Sequence, residues 1–231
     1  MNRIAKLTLL FAPVGLLVLG GCGKKAAITK QAAAQPPAPP AASAPAATGA
    51  GAGAGASDKA QADTTAKLAA AEWALRQEAI KNDPDGQWAV AATASSTYAD
   101  ATGDAQWSAN QVVGTPNVEH YTDDGRAWAP KTQDGGIEWL DVRFAKPVLA
   151  TEVRVRESCG SGAIIRLELF DELGVAHTIW AGADPTTELN YLLIKFPKTT
   201  YTSSRVKVTM ASNAVSGWNA IDAVQLVGTE E

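Results

Sequence analysis

Histidine and cysteine are scarce in this chain, with two of each in 231 residues. His120 and His177 lack the H-E-x-x-H spacing that sets two imidazoles on one helix face, so no zinc-hydrolase signature is present. Cys22 and Cys159 alone do not make a disulfide framework. The segment Glu157–Gly162 (ESCGSG) lacks the G-x-S-x-G nucleophile elbow and reads as a turn between strands. Basic residues neither dominate nor cluster: 20 Lys+Arg stand against 24 Asp+Glu. That leaves no electrostatic footprint for nucleic acid. There is no internal repeat. The most apolar segment, Ile4 to Leu19, is broken by Pro13 and Gly15 and is too short to cross a bilayer comfortably.

What is present begins with that segment. Arg3 and Lys6 supply a positive start, the apolar run follows, and Leu19-Gly20-Gly21-Cys22 closes it. This resembles a bacterial lipobox, which makes 1–21 a lipoprotein signal peptide and Cys22 the acylated first residue of the mature chain. Several acyl chains on one residue exceed the two-signal threshold for stable membrane anchoring. Without residues 1–21 the chain carries 18 Lys+Arg and 24 Asp+Glu, a net charge near −6. Gly23, rather than an aspartate, follows the cysteine and favours the outer membrane of a cell envelope. With Cys22 acylated, Cys159 has no partner in the chain and reads as a buried or half-buried thiol, or as a spare one.

Residues 22–63 are mostly Ala, Pro, Gly, Ser, Thr and Gln, as in QPPAPPAASAPAATGAGAGAGAS. With no large apolar side chain to bury, nothing offsets the entropy of ordering them, and a disordered tether is expected. Composition then shifts. Leu68, Trp73, Leu75, Ala79 and Ile80 recur near helical spacing among Ala, Glu, Gln, Lys and Arg. This predicts one amphipathic helix over 64–82, stopped by Asp83-Pro84 and Asp85-Gly86. A helix of that length is marginal alone, so it is expected to dock on the following domain or pair with another helix.

Beyond Gln87 the period changes to two. Leu140, Val142 and Phe144 alternate with Trp139, Asp141 and Arg143. Val153 and Val155 alternate with Arg154 and Arg156, and Ile165, Leu167 and Leu169 with Arg166 and Glu168. Leu192, Ile194 and Phe196, then Val206, Val208 and Met210, then Val224 and Leu226 continue the pattern. Each strand therefore offers one buried face, and such strands separated by Gly, Pro, Asp and Asn turns imply an all-β antiparallel sandwich or barrel.

Specific segments sharpen this. Ala94-Ser95-Ser96, the small-residue stretch Ala109 to Gly114, Trp139-Leu140-Asp141-Val142-Arg143-Phe144 and the closing Ile221 to Gly228 (IDAVQLVG) resemble the discoidin or coagulation-factor type C group of galactose-binding-like domains. The likeness spans 87–228. It implies a jelly-roll β-sandwich whose loops at one end bind ligands, often glycans, with a structural calcium near the first long loop. The chain departs from the group in two places. Its D-G-x-x-x-T-x-W loop survives only loosely as Asp123-Asp124-Gly125-Arg126-Ala127-Trp128, and its terminal acid is Asp222 rather than Glu.

Candidate chemistry gathers in that loop. Asp123, Asp124 and Asp222 are the candidate calcium ligands, since calcium takes six to eight hard oxygens. Alternation puts Asp222 in phase with Val224 and Leu226, where an inward carboxylate needs a partner. The alternative is a solvated turn, with Asp222 accepting backbone N–H bonds. His120, Tyr121, Arg126 and Trp128 form a candidate saccharide or peptide site, aromatic faces stacking on sugar and the polar groups bonding hydroxyls. The alternative is that Trp128 plugs the space beneath the loop. Trp107, Trp139, Trp180 and Trp218 read as packing residues. Glu138 and Asp141, three apart on a strand, face opposite ways and cannot flank one glycosidic bond. The expected molecule is a non-catalytic, lipid-anchored module for carbohydrate or envelope polymer. The alternative is an assembly lipoprotein that holds a protein partner.

Overall fold

The computed structural model describes residues 54–230. The signal segment 1–21, Cys22 and the linker as far as residue 53 lie outside the described residues.

A single α-helix, α1 (Ala54–Lys81), precedes eight strands: β1 (Gly86–Trp88), β2 (Ala91–Ala94), β3 (Ile137–Cys159), β4 (Ile164–Phe170), β5 (Ala176–Ala181), β6 (Asn190–Lys195), β7 (Thr202–Ala211) and β8 (Ala220–Thr229). Every strand pairing is antiparallel. The organising element is β3, 23 residues long. Its first part pairs with β2 and β7, and β7 continues to β4 and β5. Its second part pairs with β8 and β6, and β8 continues to β1. The two layers of the jelly roll are thus joined through one bent strand where the alternation predicts two. The bend falls at the irregularity between Arg143 and Val148. Pro147 sits there and has no N–H to donate to a ladder.

Period-two positions meet in one core. Leu140, Val142, Phe144, Val153, Val155, Leu167, Leu169, Leu192, Val206, Val208, Met210, Val224 and Leu226 are all buried. Two positions depart from simple counting, both at bulges. In β4 the register shifts between Ile164 and Arg166, so Ile164 enters the core and Ile165 is only half-buried. In β8 an extra residue, Asp222, falls between Ala223 and Ile221 in the pairing with β3. Ile221 therefore joins Val224 and Leu226 in the core, and Asp222 turns to the other face. A one-residue slip reverses which side of a sheet a side chain faces.

The helix begins ten residues before the expected 64, because the alanines of 54–62 extend it from its docked end. Nor is it amphipathic in the expected sense. At 100° per residue, Trp73, Gln77 and Ile80 share one face and Leu68 and Leu75 the opposite one. The first face docks: Ile80 is buried and its carbonyl accepts from Gln225 Nε2 at 3.0 Å, while Asp83, just beyond, pairs with Arg154 at 2.8 Å. Leu68 and Leu75 stay 61% and 71% exposed. Outside the core, Gln225 of β8 lies beneath the docked end of α1, and Ala220 and Asp222 lie beneath the β2–β3 connection, so Ala220–Gly228 is buried on both sides. No described helix is long and apolar enough to cross a membrane.

Candidate functional site

At one rim of the sandwich, the long β2–β3 connection and the β7–β8 connection bring three aromatic side chains together. Tyr98 and Trp107 lie edge to face, with ring centroids 5.1 Å apart at 66°. Tyr98 and Trp218 do the same at 5.2 Å and 87°. With Ala129 and Asp123 these rings line a cleft of about 90 Å³. Under it sits a small apolar cluster of Val118, Ala127, Ala129 and Ala220, which Cys159 joins half-buried. Burial, and then the charge of Asp123, push the Cys159 thiol above its ordinary pKa.

The cleft is held in a costly backbone. Ala99, Asp100 and Trp107 have φ of 53°, 54° and 58° without being glycine. Such residues cost about 1–3 kcal/mol each and cluster where surrounding structure over-determines them. The surroundings here are specific: Trp107 N donates to Gly125 O at 2.9 Å, and its indole Nε1 to Asp123 Oδ1 at 2.8 Å. Opposite, Gly160 (φ 52°) passes under the carbonyl of Trp218, where any Cβ would collide.

The sequence-predicted ligand residues do not converge on this cleft. Trp128 is fully buried; its indole donates to Ser96 O at 3.0 Å and its backbone bridges Ile221. It is the plug beneath the loop and offers no face to a ligand. His120 and Tyr121 line a separate groove of about 410 Å³ with Trp73, Glu119 and Thr187–Asn190. Arg126 is turned back onto Asp124, which it grips through Nε and Nη2 at 3.0 and 2.7 Å. That guanidinium holds the Asp124 carboxyl below the usual range. Trp107 and Trp218, read from sequence as packing residues, are half-exposed walls of the cleft. Glu138 accepts from Ser95 and Ser96, and Asp141 pairs with Arg205 at 2.6 Å, so the two carboxylates do separate work.

The three candidate calcium ligands do not fit the ion. Asp123 faces the Trp107 indole and Asp124 faces Arg126. Asp222, 1% exposed, lies 3.1 Å from Arg156 Nε and accepts from the backbone N–H of Asn117 and Val118 at 3.2 and 3.3 Å. Donors already aim at each carboxylate. Among the described residues no group of three His, Cys, Asp or Glu side chains could hold a metal. On the face away from the core, the Asp222 carboxylate has its partner in an arginine from β3. Burial nonetheless pushes the Asp222 carboxyl up to about 6.

Arg156 is itself the junction of helix and sandwich. It donates to Gln77 Oε1 of α1, to Val118 O at 2.9 Å and to Tyr191 Oη at 3.4 Å, and its guanidinium lies over the rings of Tyr191 and Trp73 at 5.3 and 5.9 Å. A second buried acid, Glu157 (2% exposed), lies next to Arg156 near the end of β3. Its Oε2 accepts from Gly162 N at 2.9 Å. Its Oε1 and Asp184 Oδ2 are both buried without a hydrogen-bond donor. One proton held between the two carboxyls would satisfy both oxygens. Burial first, then the Asp184 charge, push Glu157 up to about 8.

An antiparallel β-sandwich with an aromatic cleft at one rim is the architecture that the sequence resemblance implied. Residues 77–231 match the family described as "Pappalysin-1, SD scarf domain, C-terminal", and the chain belongs to that family. The match opens at Gln77, where α1 meets Arg156. No curated protein sequence matches the chain. Among solved structures it is similar to chitosan-binding module 1 of a chitosanase/glucanase from Paenibacillus sp. IK-5. Identity there is 15% over 60% of this chain and 94% of that one, with a TM-score of 0.45. It is also similar to the family 32 carbohydrate-binding module of C. perfringens NanJ, in complex with galactose. There identity is 15% over 61% and 98%, with a TM-score of 0.43.

Proposed function

We propose that this chain is a lipid-anchored envelope protein whose sandwich is a non-catalytic module for carbohydrate or an envelope polymer, with the Tyr98–Trp107–Trp218 cleft as its site. The observation that carries this reading is the cleft itself: three aromatic walls and one carboxylate on a backbone held left-handed at three non-glycine residues. Aromatic faces take up the C–H faces of sugars, and Asp123 offers an acceptor to a hydroxyl. The anchoring rests on the Cys22 motif. The test is a glycan array with the full chain. Specific binding that falls in Trp107→Ala and Trp218→Ala while the melting temperature holds supports the reading, and binding indifferent to both refutes it. Turnover of the bound glycan by the pure protein would refute the non-catalytic part. Loss of acyl labelling and of membrane association in Cys22→Ala tests the anchor and an outer-membrane location.

A second reading, a protein partner, is favoured by one feature. Leu68 and Leu75 stand exposed on the face of α1 opposite its docked side. A partner captured by the full chain and lost in Leu68→Glu/Leu75→Glu, with glycan binding intact, would support it.

A further inference from the structure

The rim cleft is built for a charge as well as for an apolar surface. Its walls are three aromatic rings packed edge to face at steep angles, and Ala129 also lines it. The volume of about 90 Å³ suits one substituent of a larger ligand whose body rests against the rim. Asp123 is the polar group on its rim. One oxygen of that carboxylate is fixed by the Trp107 indole, which orients the group without neutralising it. The neighbouring acids are neutralised: Asp124 by Arg126 at 2.7 Å and Asp100 by Lys131 at 2.7 Å. Among the described residues no Lys, Arg or His forms an ion pair with Asp123. A small cavity lined by three aromatic rings and one uncompensated carboxylate is electrostatically complementary to a cation. Ring quadrupoles attract an ammonium group over the ring face, and a weakly hydrated alkylammonium loses least on entering.

We propose that the cleft selects an ammonium-bearing ligand, the cationic group seated among Tyr98, Trp107 and Trp218 and paired with Asp123. The proposal rests on the reading of this cleft as the binding site and names the chemistry it recognises. The ammonium could be borne by an amino sugar or by a choline-type headgroup, and these sources are separable by experiment.

The test follows tryptophan fluorescence and calorimetry of the full chain, at fixed ionic strength. The probes are choline, its neutral isostere 3,3-dimethylbutanol, glucosamine oligomers and their fully N-acetylated counterparts. The expected result is binding of choline, of glucosamine oligomers or of both, about tenfold tighter than of the matched neutral probe. Asp123→Asn should remove most of that preference, and Trp218→Ala should remove binding. Asp123 is exposed, so the asparagine variant leaves the fold intact. Equal affinity for charged and neutral probes overturns the proposal. If neutral oligosaccharides bind with no preference, the ammonium inference fails and the saccharide reading stands. If choline alone binds, the inference stands and the saccharide reading fails. If no probe binds, the ammonium inference fails, and the glycan array alone decides the saccharide reading.

Discussion

The Glu157–Asp184 pair is expected to make the stability of the domain fall as pH rises. An acid whose pKa is raised by folding holds its proton more tightly in the folded state. Its stabilising effect is complete below the unfolded pKa and is lost as pH rises through the folded one. For Glu157 the span runs from 4.5 to about 8. At 1.36 kcal/mol per pKa unit, the full difference is about 5 kcal/mol. Most of it, about 3.5 kcal/mol, falls between pH 5 and pH 8. Asp222, raised from 3.8 to about 6, acts in the same direction. Most of its span lies at lower pH, so it adds only about 1.4 kcal/mol over the same window. A domain worth about 5–15 kcal/mol would lose a large fraction of its stability from mild acid to mild base. Glu157→Gln tests this. The amide keeps an acceptor for Gly162 N and gives Asp184 a permanent donor. Urea unfolding at pH 5, 6, 7 and 8 is expected to show wild-type stability falling by several kcal/mol and the glutamine variant losing most of that slope. The variant should also be the more stable of the two at pH 8. A wild-type protein equally stable at pH 5 and pH 8, or a glutamine variant with an undiminished slope, would refute the shared-proton account.

Arg156→Ala strands Asp222 as an uncompensated buried charge and releases Gln77 of α1. Its expected cost is about 3–5 kcal/mol by urea denaturation, with new proteolytic cuts within α1; a loss below about 1 kcal/mol would contradict its role as the junction. Trp128→Ala empties a fully buried site and should cost about 3–5 kcal/mol in the same assay. Wild-type stability in that variant would contradict the assignment of Trp128 to the core. Added calcium at millimolar concentration should leave the melting temperature unchanged, because Asp123, Asp124 and Asp222 are already faced by donors; a clear rise would mean that those groups rearrange around the ion.

How far the sequence could be read depended on whether a residue's neighbours are set locally. Val142, Val208 and Val224 were legible as core because alternation within a strand needs only the strand itself. Ile165 and Asp222 were misplaced because a bulge adds a residue to one strand without leaving a mark in composition. Counting from Val224 put Asp222 in the core, and the inserted position turned it outward onto Arg156. Helical spacing had the same weakness in α1. Leu68, Leu75, Trp73 and Ile80 all fit a loose helical recurrence, yet they divide between opposite faces, and only the sandwich decides which face is buried. The rim cleft was the hardest feature to see. Tyr98, Trp107 and Trp218 come from two connections far apart in the chain, and nothing local says that they meet. One signal was available, however. None of the three lies in a period-two run, so none has a strand face to carry it into the core, whereas Trp139 does. Trp128 also lies outside such a run and is buried, because its backbone bridges Ile221 and its indole reaches Ser96 O. An aromatic residue in a loop is therefore a candidate ligand contact only after the loop's own backbone bonds have been traced, since those bonds sent Trp128 inward and left Trp107 at the rim.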